Sequence, residues 1–246
     1  MMDLAASLVI FAALAFAAIA WWVGGRSRRA ERVEQGGSSV FLPAAAQHGG
    51  YLAMAPFGRA LARAGISANA ITLASIPLAA AAAVAFAYGH YGLGALGAAL
   101  AFSCDMLDGL VARTTGTASD AGEVLDAAAD RICEALLFGG LAFAYRERPL
   151  LLGLVLLAGL AAQQVTYASA KAEVYAMTSV PRGTMRRAER AVYFVVGAAM
   201  SGLVGHVAPM LVALVVIGVA GNVSATRRYV ALARALRERD AAHAAE

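Results

Sequence analysis

Charge is scarce in this 246-residue chain, and so are the residues that mark a disulfide-stapled or soluble fold. Only 15% of residues are Asp, Glu, Lys or Arg, where an average soluble domain carries about 25%. Two cysteines, Cys104 and Cys133, exclude a disulfide framework and are too few for a structural zinc site, so both are read as packing residues. The four histidines, His48, His90, His206 and His243, fall in expected loops or the tail, at spacings that suggest neither metal binding nor catalysis. No internal repeat is visible. What remains is 61% hydrophobic, with a mean hydropathy of +0.67, far above a soluble domain.

The apolar residues come in runs. Residues 4–25, 64–104, 149–170 and 191–226 contain no Asp, Glu, Lys or Arg. A helix needs about 20 apolar residues to cross about 30 Å of hydrocarbon. The first and third runs fit one span each, and the second and fourth fit two, with turns near residues 88–92 and 205–209. A further span over 122–145 is hydrophobic only in its second half. The expected fold is all-α and integral to the membrane, a six-transmembrane-helix bundle plus one extra N-terminal transmembrane helix. The chain divides into an N-terminal anchor (1–25), a cytoplasmic linker with a juxtamembrane amphipathic helix (26–66), a six-helix core (67–226) and a basic cytoplasmic tail (227–246). Gly36, Gly37, Ser38 and Ser39 read as the flexible part of the linker. Leu52, Met54, Phe57 and Leu61, interleaved with Arg59 and Arg63, suit a helix lying on the membrane surface.

The net charge of +4 could suggest nucleic acid, but its placement argues for topology instead. Arg26, Arg28, Arg29, Arg32, Arg59 and Arg63 follow the first span, Lys171, Arg182, Arg186, Arg187 and Arg190 lie between the fifth and sixth, and Arg227, Arg228, Arg234, Arg237 and Arg239 follow the last. Alternating spans put all of these on one side with Arg113 and Arg131, leaving Arg146 and Arg148 opposite. The positive-inside rule makes the basic side cytoplasmic and the N-terminus external, in an inner membrane. The first run has no basic residues before it and arginines after it, the reverse of a signal peptide, so it is read as a retained anchor.

Against this background one cluster is out of place. Asp105, Asp108, Gly109, Ala112, Arg113, Gly122, Asp126 and Asp130 fall inside or beside spans. A carboxylate at membrane depth costs several kcal/mol unless it is paired or bound to a cation, about 2.5 kcal/mol or more each. Asp105, Asp108, Gly109 and Ala112 recur at i, i+3, i+4, i+7, and Gly122, Asp126 and Asp130 at i, i+4, i+8, so each set shares one helical face. A short polar turn over 114–121 makes the two helices antiparallel neighbours and turns the four carboxylates toward one space. Asp126 and Asp130 lie early in their helix, where its dipole tolerates negative charge, whereas Asp105 and Asp108 lie near a C-terminus, where it does not. Oxygen-rich sites of this kind suit magnesium, manganese or calcium, and a pair of dications would resolve the repulsion. Gly109, Ala112 and Gly122 remove bulk beside the acids, which serves either close helix packing or a flat ligand. Arg113 could neutralise a carboxylate or meet a phosphate.

The string Asp-x2-Asp-Gly-x2-Ala-Arg-x8-Gly-x3-Asp-x3-Asp resembles, at every specified position, the signature of the CDP-alcohol phosphotransferase family. Eight fixed positions at about 5–10% per residue type would coincide by chance on the order of once in 10⁹ windows. The resemblance spans roughly 50–226. It implies six transmembrane helices, a homodimer and two divalent cations, Mg²⁺ or Mn²⁺, held on the cytoplasmic side. It further implies transfer of a phospho-alcohol group from a CDP-alcohol to a second alcohol, with release of CMP. By the same resemblance Asp105, Asp108 and Asp126 would bind metal, and Asp130 would bind metal and act as general base. Gly109, Ala112, Arg113, Gly122 and Asp108 would line the nucleotide pocket. Asn69 and Thr72 are similar to the family's Pro-Asn-x-x-Thr, with Ala68 in the place of proline.

The stretch from Thr166 to Glu173, with Glu189 and Arg190, resembles segments of phosphatidylinositol-phosphate and phosphatidylglycerophosphate synthases, with Ser169 where arginine is usual. That implies CDP-diacylglycerol as donor, a small phosphorylated polyol (glycerol 3-phosphate or inositol 1-phosphate) as acceptor, and Lys171 and Arg190 as acceptor contacts. An unphosphorylated acceptor such as serine or inositol, or a CDP-aminoalcohol acting on diacylglycerol, would use the same chemistry. A cation or proton transporter is the rival class, but its carboxylates would sit near the midplane on several broken helices. Glu134, Asp120 and Glu123 are read as pairing or interfacial charges, and Gln163 and Gln164 need partners inside the bundle. Membrane lipid is an expected partner and nucleic acid is not.

Overall fold

The computed structural model describes residues 1–20, 22, 44–175 and 184–244. The described residues form helices and no strand: α1 (Met2–Ala20), α2 (Ala44–Arg63), α3 (Ala68–Ala87), α4 (Tyr91–Thr115), α5 (Asp120–Ala144), α6 (Pro149–Val174), α7 (Arg187–Val204) and α8 (Ala208–Ala244). Among them α1, α3, α4, α6 and α8 are long and apolar enough to cross a membrane. The chain is therefore a multi-pass membrane protein. The two remaining expected spans, α5 and α7, carry charges in their first turns, Asp120 and Glu123 on one and Glu189 on the other. Arg26, Arg28, Arg29, Arg32 and Arg182, together with the Gly36–Ser39 linker, lie outside the described residues.

Turn chemistry sets the helix ends. Ser67 and Ser119 cap α3 and α5, their hydroxyls accepting from the amides of Ala70 and Gly122 at 3.3 and 3.2 Å. Gly116 ends α4 in the left-handed region, at φ 70°, which glycine adopts without strain. The observed turn is thus tighter than the expected 114–121. His48, expected in a loop, lies within α2, because that helix begins at Ala44, earlier than the apolar pattern marked. The tail continues α8 without interruption to Ala244. Both cysteines are free and buried.

One expectation is corrected. Although α4 and α5 are consecutive and antiparallel, they touch little beyond their shared turn; α3 lies between them and packs along both. Small residues make this possible. A Cβ on Gly140 of α5 would sit 2.3 Å from the Ala83 carbonyl oxygen, and one on Gly97 of α4 would sit 2.8 Å from the Ala82 Cβ. No real Cβ tolerates such approaches, so both helices press their backbones against α3. The core built around this wedge includes Ala79, Phe86, Ala98, Leu137, Leu141, Val155, Phe194 and Leu214.

The N-terminal helix is part of the bundle. It packs on α4, α7 and α2, burying Ala6, Ser7 and Ile10. His90, the residue preceding α4, makes no side-chain cap. Asp3 supplies one from α1 instead, accepting from the Leu93 amide at 3.0 Å and contacting His90 Nδ1 at 3.1 Å. The start of α1 therefore lies at the end of the bundle opposite the acidic cluster.

Candidate active site

Four helix ends meet where the acidic residues gather: the last turns of α4 and the first turns of α3, α5 and α7. Asp105, Asp108 and Asp126 each bring a carboxylate oxygen into a group whose members all lie within 4.8 Å of one another. Asp108 is buried, and Thr72 of α3 donates a 2.6 Å hydrogen bond to its Oδ2. The same Thr72 hydroxyl also lies 3.1 Å from the Ala68 carbonyl oxygen, which fixes its rotamer. Asp126 Oδ1 is buried without a hydrogen-bond partner among the described residues. Three converging carboxylates, one with an unused buried oxygen, form a donor set that suits a hard divalent cation.

Asp130 stands one helical turn deeper on α5. Its partner is Arg187, from the first turn of α7, which also reaches Asp105 Oδ2 at 2.8 Å. A second ion pair lies one turn further along both helices: Arg190 meets Glu134 at 2.7 Å, with both side chains almost wholly buried. Arg190 also donates to Thr166 Oγ1 at 3.3 Å and to the Met185 carbonyl at 2.9 Å. The two rungs fasten α7 to α5.

The nucleotide-side residues form a more open rim. Asn69 is exposed, Gly109, Ala112 and Gly122 are half-buried, and Arg113 is exposed. Gly122 and Asn69 are adjacent: a Cβ on Gly122 would lie 3.7 Å from Asn69 Oδ1 and 3.3 Å from Ser119 Oγ. Lys171, in the last turn of α6, places its Nζ 5.5 Å from the centroid of the Tyr167 ring. Arg190, expected at the acceptor, pairs with Glu134, which gives the buried guanidinium its counter-charge, while its Nε is buried without a hydrogen-bond partner among the described residues. Ser169 accepts from Arg228 of α8, so a guanidinium does approach this position, from another helix. Gln164 finds its partner in Tyr229, whose hydroxyl donates at 2.5 Å.

Residues 66–223 match the CDP-alcohol phosphatidyltransferase family. The chain belongs to that family. It is accordingly a membrane-bound transferase of phospholipid synthesis that uses a CDP-alcohol, and the carboxylate cluster fits the divalent cations this chemistry employs. Among its relatives is a phosphatidylinositol phosphate synthase of Streptomyces avermitilis, 31% identical over 202 residues, covering 78% of this chain and 83% of that one. Another, from Mycobacteroides abscessus, is 32% identical over 178 residues, covering 70% and 80%. The fold resembles Mycobacterium tuberculosis phosphatidylinositol phosphate synthase with CDP-DAG bound (TM-score 0.64, 29% identity, 72% of this chain and 92% of that one). It equally resembles the same enzyme in complex with manganese and citrate (TM-score 0.65, 28% identity, 72% and 88%).

Arg187, Glu134 and Thr166 were not singled out by sequence as site residues. Two signals were present: Glu134 follows Asp130 by one turn, and Arg187 precedes Arg190 by three residues. Matching acid and base ladders on two helices are legible only once those helices are known to pack.

Proposed function

We propose that this protein transfers the phosphatidyl group of CDP-diacylglycerol to a small phosphorylated polyol, inositol phosphate or glycerol 3-phosphate, releasing CMP. The convergence of Asp105, Asp108 and Asp126 carries the reading, and the names and bound donor of its relatives support it. Asp105, Asp108, Asp126 and Asp130 would hold two divalent cations, Mg²⁺ or Mn²⁺. Such cations neutralise a pyrophosphate and stabilise a departing phosphate anion. The remaining work falls to the chain itself. Asn69, Thr72, Asp108, Gly109, Ala112, Arg113 and Gly122 form the nucleotide side, where the capped N-termini of α3 and α5 favour a phosphate.

Asp130 is the general base. It lies deeper along α5 than Asp126, and takes the proton of the acceptor hydroxyl as that oxygen bonds to the lipid-bearing phosphorus and the bond to CMP breaks. Lys171 and Arg190 are the acceptor-phosphate contacts, and the pairing of Arg190 with Glu134 also holds α7 in place. The protein acts as a homodimer in the inner membrane, with the site facing the cytoplasm and the N-terminus outside, since the basic residues crowd the site end of the bundle.

The test is CMP release from CDP-diacylglycerol by purified protein with Mn²⁺ or Mg²⁺. Glycerol 3-phosphate, inositol 1-phosphate, inositol and serine are offered in turn, with Asp130→Asn alongside. Release that depends on a phosphorylated polyol and disappears in Asp130→Asn is expected. Turnover with serine or free inositol alone would overturn the acceptor; no release with any acceptor would overturn the donor.

A further inference from the structure

Arg187 is paired with two of the four carboxylates assigned to the metals. Its two terminal nitrogens reach carboxylates on different helices, Asp105 of α4 and Asp130 of α5, and Asp105 is also one of the three clustered metal-binding candidates. The side chain is only 23% exposed, flanked by the Phe102 ring at 5.9 Å, and its Nε is buried without a partner. The two carboxylates are therefore what holds the guanidinium. One turn along, Arg190 has a separate set of partners in Glu134, Thr166 and the Met185 carbonyl, none of them a metal-binding candidate.

We propose that Arg187 competes with divalent metal for the carboxylate site: without metal it takes the place of a cation between Asp105 and Asp130, and it releases both when divalent metal enters. The inference rests on the metal reading given above and adds a competition to it. A dication and a guanidinium bound by the same carboxylates repel each other at short range, so entry of metal at Asp105 weakens the hold on Arg187. The Arg190–Glu134 rung shares no carboxylate with the metals and stays closed. Metal loading thus frees the first turn of α7 while the rest of that helix remains fastened to α5.

The experiment measures Mn²⁺ affinity without substrate, by titration calorimetry or by electron paramagnetic resonance of free Mn²⁺, in wild type, Arg187→Gln and Arg187→Lys. Removing a charge-assisted competitor should tighten Mn²⁺ binding about tenfold or more in Arg187→Gln, with Arg187→Lys between it and wild type. A merely structural arginine would give the opposite, weaker binding as the carboxylates drift apart, and equal or weaker binding in Arg187→Gln overturns the proposal. If wild type and both variants alike fail to bind Mn²⁺, the metal reading itself has failed, and the competition with it. Hydrogen exchange on wild type gives an answer that needs no variant: Mg²⁺ should protect the site ends of α4 and α5 and speed exchange over residues 184–188. Slower or unchanged exchange there overturns the release of Arg187.

Discussion

Breaking the Arg190–Glu134 pair offers a demanding test of the packing described here. Both side chains are almost wholly buried, 3% and 7% exposed, and their contact is 2.7 Å. Removing one partner strands the other charge, at a cost of about 3–5 kcal/mol, whereas replacing both with well-packed apolar groups is close to neutral. Arg190 has an additional duty: it donates to the carbonyl of Met185, which is fully buried and sits at φ 57°, a conformation costing a non-glycine residue about 1–2 kcal/mol.

Glu134→Leu is therefore expected to lose about 3–5 kcal/mol, Arg190→Met at least as much, and the double variant far less than either. For a domain of this size 1 kcal/mol moves Tm by about 2–4 °C, so each single variant should fall by roughly 6–20 °C in detergent-solubilised thermal unfolding. The exposed Arg239–Asp240 pair is the control, since such a pair contributes about 0–1 kcal/mol. A Glu134→Leu variant that melts with wild type, or a double variant that falls as far as the singles, would refute the reasoning.

Thr72→Val removes the 2.6 Å hydrogen bond to Asp108; a loss of about 1–2 kcal/mol should appear as a roughly five- to thirtyfold lower kcat/KM for CMP release. Gly122→Leu should raise KM for the CDP-alcohol, because its side chain would enter the space beside Asn69, while Tm stays near wild type and Gly122→Ala shows a smaller effect. Asp3→Ala deletes the cap that α1 lends to α4; a cost of about 0.5–2 kcal/mol should lower Tm by a few degrees and leave the turnover of folded enzyme unchanged.

The legible parts of this protein were those whose physics is local. Uncharged runs gave the apolar helices, and the i, i+3, i+4, i+7 spacing placed Asp105 and Asp108 on one face before any packing was known. The tight turn at Gly116 was close to its expected position because a polar break between two apolar runs has few solutions. What was not legible depends on which helices touch. Consecutive antiparallel helices are neighbours by default, and that default put α4 directly against α5. Nothing in either helix alone announces that α3 parts them, because the evidence is a complementarity of small residues on three separate segments. The arginine ladder was hidden for the same reason: at the start of a helix that follows a basic stretch, Arg187 and Arg190 look like ordinary topology charges until Asp130 and Glu134 are found opposite them.

The wedge explains why Asn69 and Thr72 belong to the site at all. Ala82 and Ala83 are consecutive on α3, yet one meets Gly97 of α4 and the other Gly140 of α5. Adjacent residues on a helix point about 100° apart, so a single turn of α3 presents two faces, each pressed against a helix that bears half of the carboxylates. These contacts lie near the end of α3 remote from the acids. The opposite end of α3 consequently arrives between Asp108 and Gly122, where the Ser67 cap fixes its first turn and Thr72 reaches Asp108. Each acid-bearing helix is thus tied to α3 twice: α4 by the Gly97 contact and the Thr72–Asp108 hydrogen bond, and α5 by the Gly140 contact and the hydrogen bond that Cys133 Sγ donates to Ser75 Oγ at 3.3 Å. A methyl group added at Gly97 would tilt α4 about the Thr72–Asp108 hydrogen bond, and one at Gly140 would tilt α5 about the Cys133–Ser75 contact, changing the distances among Asp105, Asp108 and Asp126 without touching them. Glycines far from the chemistry therefore help define the geometry of the carboxylate site.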